Sequence, residues 1–175
     1  GTVASNLLDA YRAGFPEARF SIWNRSPERA QALAKTRPDA RAVTDLKAAI
    51  GSADIICTST MSTSPVLQGS WLQEGQHVDL IGAYRPDMRE ADDQALQRAR
   101  VFVDSFDTTL DHIGELKIPL SSGALRRADV QADYYSERGF QRGSERDITL
   151  FKNGGGAHLD LMTARYIMQQ WSSAA

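Results

Sequence analysis

The prediction of the fold rests on the segment that begins Gly1-Thr2-Val3-Ala4 and ends Trp23-Asn24-Arg25-Ser26. Between these ends, apolar side chains recur at helical spacing, a Gly14-Phe15-Pro16 break follows, and alternating side chains predict a strand. A glycine that opens a helix lets backbone N–H groups approach a pyrophosphate, where the helix N-terminus adds partial positive charge. Gly1 matches the second glycine of the G-x-G-x-x-G/A fingerprint, and Ala4 matches its small third position. The stretch therefore predicts a dinucleotide-binding fold, with Gly1, Thr2 and Val3 at the phosphates.

The end of this strand predicts which dinucleotide is bound. In NAD-dependent proteins an Asp or Glu at this point accepts a hydrogen bond from the ribose 2′-hydroxyl. Asn24-Arg25-Ser26 contains no acid and offers an amide, a guanidinium and a hydroxyl, which suit a 2′-phosphate. We therefore expect a preference for NADP(H), with NAD(H) as the alternative. A second interpretation, compatible with the first, makes Ser26 a helix cap before Pro27 and Arg25 a solvated charge.

Composition excludes several classes of partner. A chain of 175 residues with 42% hydrophobic residues is expected to be a soluble globular protein. Its net charge of -2 gives no electrostatic footprint for nucleic acid, and no apolar run approaches the roughly 18 residues of a membrane span, so neither partner is expected. The one cysteine, Cys57, follows Ile55-Ile56 and is predicted to be a buried structural thiol, which favours the cytoplasm. Because the chain begins inside a phosphate loop, we expect further sequence upstream.

Strand and helix patterns alternate along the rest of the chain, which predicts an α/β fold with a parallel sheet. Residues 119–147 show little periodicity and are predicted to be a partly irregular connection between a dinucleotide-binding core (1–118) and a final strand with a returning helix (148–175). The predicted strands are 41–43, 53–57, 77–82, 101–105 and 148–151. The predicted helices are 27–35, 46–50 with Thr44 as its cap, 90–99, 108–116, and 157–171 with Leu161, Ala164, Met168 and Trp171 on one face.

Three loops follow predicted strands and carry the remaining candidate site residues. Thr58, Ser59 and Thr60 follow one strand, Gly82 and Ala83 end the next, and Asn153 follows the last. Ligands of open α/β sheets bind outside the carboxyl ends of the strands, so we expect these loops to line the cofactor on the same edge as Gly1. An ordinary Ser/Thr-rich loop is the alternative for residues 58–65.

The sequence contains no pattern typical of a metal site or of a catalytic nucleophile. The three histidines are isolated, no Cys/His spacing predicts zinc, and no G-x-S-x-G elbow is present, so no metal is expected. His77 is predicted to start a strand, His112 to lie on a helix face and His158 to lie in a first helical turn. The carboxylate pairs Asp92-Asp93 and Glu145/Asp147 are interpreted as solvated faces or caps. No residue is assigned a catalytic role.

Several stretches together resemble the ornithine cyclodeaminase/mu-crystallin family, in an order and spacing that match across nearly the whole chain. R-P-D-M-R-E and I-T-L-F-K are the specific parts, whereas N-R-S-P-E-R-A also resembles the cofactor domains of shikimate dehydrogenase and glutamyl-tRNA reductase. The stretches are Ala53-Asp54-Ile55-Ile56 with the Thr58-Ser59-Thr60 loop, Gly82-Ala83-Tyr84-Arg85-Pro86-Asp87-Met88-Arg89-Glu90, Val103-Asp104-Ser105, and Asp147-Ile148-Thr149-Leu150-Phe151-Lys152-Asn153-Gly154.

The resemblance implies a Rossmann-type, doubly wound parallel sheet that forms the cofactor domain of a two-domain parent. Family members handle amino acids or cyclic imines with a nicotinamide cofactor, usually as dimers. The implied activity is that of an oxidoreductase reducing a cyclic imino acid, a ketimine such as pyrroline-2-carboxylate. Ornithine cyclodeaminase activity, amino-acid dehydrogenase activity, and non-catalytic binding of a small ligand with NADP(H) are the alternatives.

The chain also departs from the family pattern. Tyr84 stands where ornithine cyclodeaminases carry a catalytic aspartate, which argues against cyclodeamination and favours a packing role for Tyr84. Met88 stands at the family's loop lysine, and Asn153 replaces the usual serine while still offering a polar group to the cofactor. In the family an N-terminal domain holds the substrate carboxylate and supplies most of the dimer contact. The resemblance therefore implies a homodimer formed through a domain that this chain lacks.

Overall fold

The computed structural model describes residues 1–137 and 139–174, and it divides the chain into two compact units. The first unit covers Gly1–Ala53 and the second begins at Asp54. Every strand pair in the described residues is parallel. The predicted α/β class with a parallel sheet is confirmed, but the strands form two sheets, since each strand finds its partners within its own unit. Within the described residues, no helix is both long enough and apolar enough to cross a bilayer.

The first unit alternates helices with two short strands. Its elements are α1 (Thr2–Gly14), β1 (Phe20–Ile22), α2 (Pro27–Ala34), β2 (Ala40–Ala42) and α3 (Leu46–Gly51). Phe20 of β1 lies opposite Ala40 of β2. The cap of α3 is Asp45, whose carboxylate accepts from Ala48 N at 3.0 Å, so the prediction of Thr44 as the cap was wrong by one residue. Both residue types cap helices well, and only the local backbone path decides between neighbours.

The second unit is built on a five-stranded sheet. Its elements are β3 (Ile55–Thr58), β4 (His77–Leu80), α4 (Asp93–Arg98), β5 (Ala99–Val103), α5 (Phe106–Thr109), α6 (Gly114–Ser122), β6 (Val130–Ala132), β7 (Ile148–Lys152) and α7 (Ala157–Ala174). The strand order across the sheet is β3-β4-β7-β5-β6. Helices lie in the connections from β4 to β5 and from β5 to β6, as crossovers between parallel strands usually require.

The two faces of this sheet differ in burial. Val78, Leu80, Val101, Val103 and Leu150 share one face and are fully buried. The other face carries a row of side chains placed side by side by the strand register, Cys57, Asp79, Phe151 and Phe102. Cys57 is exposed, so the prediction of a buried thiol was wrong. β3 forms an edge of the sheet, and only Ile56 of this strand is buried.

The segment predicted to be irregular contains regular structure. The predicted helix at 108–116 is two helices, and α6 continues through Pro119 to Ser122, where Gly123 caps it with a left-handed φ of 79°. Proline removes one helical hydrogen bond, but α6 buries Leu116 and Pro119 on its inner face, which offsets that loss. β6 then adds an edge strand to the sheet.

The last helix is confirmed, and the face that carries its apolar side chains is exposed. Every described side chain of α7 beyond Leu159 is exposed, including Trp171 at 77%. The other exposed large apolar side chains of this helix are Leu161, Met162, Tyr166, Ile167 and Met168.

Candidate functional site

The carboxyl ends of four strands lie side by side at one edge of the five-stranded sheet. The register places Thr58, Leu80, Lys152 and Val103 next to one another. The row continues beyond the strands, because Ile81 N donates to Thr58 O at 3.0 Å and Asn153 N donates to Leu80 O at 3.1 Å. The loops that carry Thr58–Thr60, Gly82–Ala83 and Asn153 therefore meet at one edge, which agrees with their predicted placement.

A buried carboxylate joins two of these loops. Glu90 is 0% exposed. Its Oε1 accepts from Thr60 N at 2.6 Å and from Thr60 Oγ1 at 2.8 Å. Its Oε2 accepts from Gly82 N at 2.7 Å and from Ala83 N at 3.3 Å. Four donors on one buried carboxylate compensate its loss of hydration and hold the Thr60 loop against the Gly82 loop.

Gly82 is required at this point by close backbone approach. A Cβ placed on Gly82 would lie 2.1 Å from Thr60 O, 2.3 Å from Thr60 N and 2.5 Å from Glu90 Oε1. These distances are far below any real carbon contact, and two of the three atoms belong to the backbone. A side chain at position 82 would separate the two loops that Glu90 joins.

A second buried carboxylate supports the first. Glu115 of α6 accepts from Glu90 N at 2.7 Å and from Ala91 N at 2.9 Å, which fixes the backbone that carries Glu90. Burial raises the pKa of Glu115 to about 7, although these two backbone donors and the charge of Lys152 oppose the shift. Lys152 is fully buried at the end of β7 and donates from Nζ to Leu80 O at 3.1 Å. Burial lowers the pKa of Lys152, and the carboxylates of Glu115 and Glu90 oppose that change.

Asp104 organises the neighbouring part of the edge, after β5. Its Oδ1 accepts from Ser105 N at 2.9 Å and from Thr109 Oγ1 at 2.7 Å, and its Oδ2 accepts from Gly155 N at 3.0 Å. Asp104 thus joins the β5 loop to the glycine-rich loop that follows Asn153. Gly154 fits closely here, because a Cβ on it would lie 2.4 Å from Thr109 Oγ1.

The edge also contains an unsatisfied polar atom. Thr58 Oγ1 is buried and has no hydrogen-bond partner in the part of the chain that the structure describes. An unpaired buried hydroxyl costs free energy unless a ligand or a water molecule meets it. The hydroxyl stands at the strand end where open α/β sheets bind their ligands, so the residues present fit a polar ligand such as a dinucleotide.

The other predicted cofactor contacts belong to the first unit. They are Gly1, Thr2, Val3, Asn24, Arg25 and Ser26. Gly1 precedes α1, and a Cβ on it would meet nothing within 4 Å. Thr2 and Val3 form the first turn of α1, where N–H groups lack helical partners.

The side chains of Asn24, Arg25 and Ser26, which follow β1, make few hydrogen bonds within the described residues. Asn24 Oδ1 accepts from Ser26 N at 2.9 Å, which shapes the turn. Ser26 takes the N-cap position of α2, but its side chain makes no capping hydrogen bond, so the capping interpretation holds for its position and not for its hydroxyl. Arg25 is exposed, and its guanidinium makes no hydrogen bond or ion pair among residues 1–137 and 139–174.

The positions where the chain departs from the family pattern have different surroundings. Tyr84 is 57% exposed and lies beside Arg85, whose guanidinium carbon is 5.9 Å from the ring centroid, so the expected packing role was wrong. Met88 is fully buried in a cluster with Ala83 and Ile113, where a lysine would need its own partners. Asn153 is half-buried and accepts from Gly155 N at 2.9 Å.

The other histidine and carboxylate predictions have mixed outcomes. His77 starts β4 and His158 lies in the first turn of α7, as predicted, whereas His112 lies in the turn between α5 and α6. Asp92 caps α4 by accepting from Ala95 N at 2.9 Å, which confirms the cap interpretation for this residue. Asp147 accepts from Gly143 N at 2.7 Å within a turn and caps no helix of the described residues.

Sequence reasoning missed the four buried charged residues that hold the edge together, Glu90, Asp104, Glu115 and Lys152. Glu90, Asp104 and Lys152 fall inside stretches that carry the family resemblance, but those stretches do not state which donors each carboxylate meets. A charged residue inside a strand, such as Lys152 after Ile148-Thr149-Leu150-Phe151, is the one signal that indicated a buried partner.

The chain matches a known protein family over its whole length. The model of the ornithine cyclodeaminase/mu-crystallin family matches residues 1–175. A Delta(1)-pyrroline-2-carboxylate reductase of Paracoccus denitrificans is 51% identical over 175 residues, covering 95% of this chain and 55% of that protein.

Two solved structures share the fold. The Thermococcus litoralis Delta(1)-pyrroline-2-carboxylate reductase in complex with NADH and L-proline has a TM-score of 0.85 at 26% identity, covering 94% of this chain and 54% of that one. An archaeal alanine dehydrogenase dimer with bound NAD has a TM-score of 0.88 at 27% identity, covering 99% of this chain and 56% of that one. The chain thus spans about half the length of these proteins. With the family model matched from end to end, the chain belongs to the ornithine cyclodeaminase/mu-crystallin family.

Proposed function

We propose that the whole protein is a nicotinamide-dependent oxidoreductase that reduces the C=N bond of a cyclic imino acid, a ketimine such as pyrroline-2-carboxylate. The observation that carries the proposal is the convergence of the Thr58, Gly82 and Asn153 loops on one sheet edge in a chain of this family. The Paracoccus relative is named for this reduction, and the Thermococcus structure holds NADH with L-proline, the amino acid that reduction of pyrroline-2-carboxylate yields.

In this proposal each loop has a defined part in binding the cofactor. When bound, the reduced nicotinamide supplies the hydride for the C=N carbon. Backbone N–H groups of Gly1, Thr2 and Val3 bind the pyrophosphate, where the helix N-terminus favours negative charge. The residues that orient the nicotinamide half are Thr58, Ser59, Thr60, Gly82, Ala83 and Asn153, with the unpaired hydroxyl of Thr58 as a hydrogen-bonding group.

The adenosine ribose is assigned to the residues after β1. We propose that Asn24, Arg25 and Ser26 bind a 2′-phosphate, so that NADP(H) is preferred and NAD(H) is the weaker cofactor. The exposed guanidinium of Arg25 and the absence of an acid in Trp23-Asn24-Arg25-Ser26 support this assignment. The NADH and NAD of the two solved relatives are the reason to measure both cofactors.

We further propose a cytoplasmic homodimer whose dimer contact and substrate-carboxylate residues lie in sequence beyond this chain. The archaeal alanine dehydrogenase of the same fold is a dimer, and all three relatives extend well beyond the matched segment. A single cysteine without a disulfide partner in the described residues supports a reducing compartment. Size-exclusion chromatography with light scattering of the whole protein tests the dimer.

The activity is tested by mixing the whole protein with NADPH or NADH and either pyrroline-2-carboxylate or piperideine-2-carboxylate. We expect loss of the reduced-nicotinamide absorbance and formation of the cyclic amino acid. Ornithine is the comparison substrate, followed by ammonia release. Deamination of ornithine without oxidation of NADPH by any cyclic imino acid would overturn the proposal. Tight cofactor binding with neither reaction would indicate a ligand-binding protein instead.

Cofactor choice is tested by the double substitution Asn24→Asp with Arg25→Ala in the whole protein. Loss of charge-assisted hydrogen bonds, each worth roughly 1.5–3 kcal/mol, should move the preference toward NAD(H) by at least about tenfold. Isothermal titration of both cofactors measures the change. Arg19→Ala, another exposed arginine of the first unit, is the matched control. Equal NADPH affinity in wild type and double variant would show that Arg25 is only a surface charge.

A further inference from the structure

Glu90 makes hydrogen bonds to both the Thr60 loop and the Gly82 loop. Besides the four donors on its carboxylate, Glu90 O accepts from Val66 N at 2.8 Å and from Leu67 N at 2.9 Å, and Glu90 N donates to Glu115. Arg89 N donates to Ser62 O at 2.8 Å, so the neighbouring peptide is tied to the same loop. The spacing between the Thr60 and Gly82 loops is therefore set by one residue, which lies behind both of them.

The position of Glu90 excludes a direct part in the reaction. Its side chain is fully buried, and both oxygens are occupied by donors of this chain. It stands behind the loops assigned to the nicotinamide half, and its donors belong to Thr60, Gly82 and Ala83, three of the proposed cofactor contacts. A carboxylate in this place acts on a ligand only through the loops that it holds.

We propose that Glu90 is a positioning residue that sets the distance between the Thr60 and Gly82 loops and thereby orients the nicotinamide half of the bound dinucleotide. The inference rests on the proposed function, because it takes the 58–60 and 82–83 loops as the nicotinamide side of the site. It assigns Glu90 no contact with the adenosine half, which the Asn24–Ser26 turn of the first unit serves in that proposal.

Glu90→Gln is the informative substitution. Glutamine keeps the size of the side chain but turns one acceptor oxygen into an NH2 group, which then faces a donor whichever way the amide points. Either Thr60 N, or Gly82 N together with Ala83 N, loses its acceptor, so one loop is released. Glu145→Gln is the matched control, because Glu145 is exposed.

The measurement compares two probes on the whole protein, NADPH and adenosine 2′,5′-bisphosphate, which lacks the nicotinamide half. For Glu90→Gln we expect NADPH affinity to fall at least about tenfold, the effect of one lost charge-assisted hydrogen bond, while affinity for the bisphosphate stays within about twofold. Glu145→Gln should match wild type with both probes. Equal losses for both probes would make Glu90 a purely structural residue, and no loss for either would also overturn the inference.

A second pair of variants decides the matter if Glu90→Gln does not fold. Thr60→Val removes the hydroxyl that donates to Glu90 Oε1, and Thr60→Ser restores it. We expect a smaller, NADPH-selective loss in Thr60→Val and recovery in Thr60→Ser; the same affinities in both would refute the positioning role. Failure of the wild type to bind NADPH or NADH would instead refute the proposed function. Selective NADPH binding without imine reduction would refute only the proposed reaction.

Discussion

Gly82→Ala is the substitution that most directly tests the packing of the site. The Cβ of alanine would lie 2.1 Å from Thr60 O and 2.5 Å from Glu90 Oε1. Neither neighbour has an easy path away, because Thr60 is held by its own bonds to Glu90, and Glu90 is held from behind by Glu115. The methyl group therefore forces the Thr60 and Gly82 loops apart.

The expected loss of stability has two parts. Inserting a methyl group into a well-packed site costs about 1–3 kcal/mol. Separating the loops also breaks at least one hydrogen bond to the Glu90 carboxylate, and a hydrogen bond to a charged group is worth about 1.5–3 kcal/mol. We therefore expect Gly82→Ala to lower the free energy of unfolding by at least about 3 kcal/mol.

Urea unfolding followed by circular dichroism measures this loss. With a slope of about 2 kcal/mol per molar, the midpoint should fall by about 1.5 M. Gly123→Ala is the control in the same unit, because a Cβ there meets nothing within 4 Å and only the left-handed φ of 79° opposes it. That strain costs about 1–2 kcal/mol. A midpoint for Gly82→Ala at or above that of Gly123→Ala would refute the close approach of the loops.

Three further predictions concern the buried charges and the thiol. Burial raises the pKa of Glu115 to about 7 from 4.5, so its protonated form stabilises the fold below pH 4.5, and this contribution is lost as the pH rises through 7. Between about pH 5 and about pH 8, the free energy of unfolding in urea should therefore fall by up to about 3 kcal/mol more in wild type than in Glu115→Gln. Parallel pH profiles for the two proteins would contradict this. Asp104→Asn should lower the free energy of unfolding by about 2–4 kcal/mol, since the carboxylate accepts from Ser105, Thr109 and Gly155, whereas the exposed Asp107→Asn should change it little in the same urea assay. Although Cys57 is exposed as a whole residue, desolvation of its sulfur and the Asp79 carboxylate raise the pKa of the thiol. A thiol-specific reagent near neutral pH should therefore react with it at least about tenfold more slowly than with free cysteine, and an equal rate would show that the thiolate is not disfavoured.

The loops of the site could be located from the sequence because each follows a strand with its own local signature. Alternating apolar residues before Asn24 and the apolar runs before Thr58 and Asn153 predict strands, and parallel strands place their carboxyl ends on one edge. These are properties of neighbouring residues and of chain direction. Secondary structure near Pro119 was harder to predict, because the burial that keeps α6 intact comes from packing and not from local propensity.

The α/β class, the family resemblance and the edge at which the loops meet follow from the amino-acid pattern alone, since they depend on spacing along the chain. The tertiary structure determines which charges are buried together. Glu90 meets Thr60, 30 residues earlier, and Glu115 meets Glu90 N, 25 residues earlier. It also decided that Cys57 is exposed, because burial of a strand residue depends on which face of the sheet is covered. A buried charge is stable only where distant donors converge on it, and that convergence is a property of the folded chain.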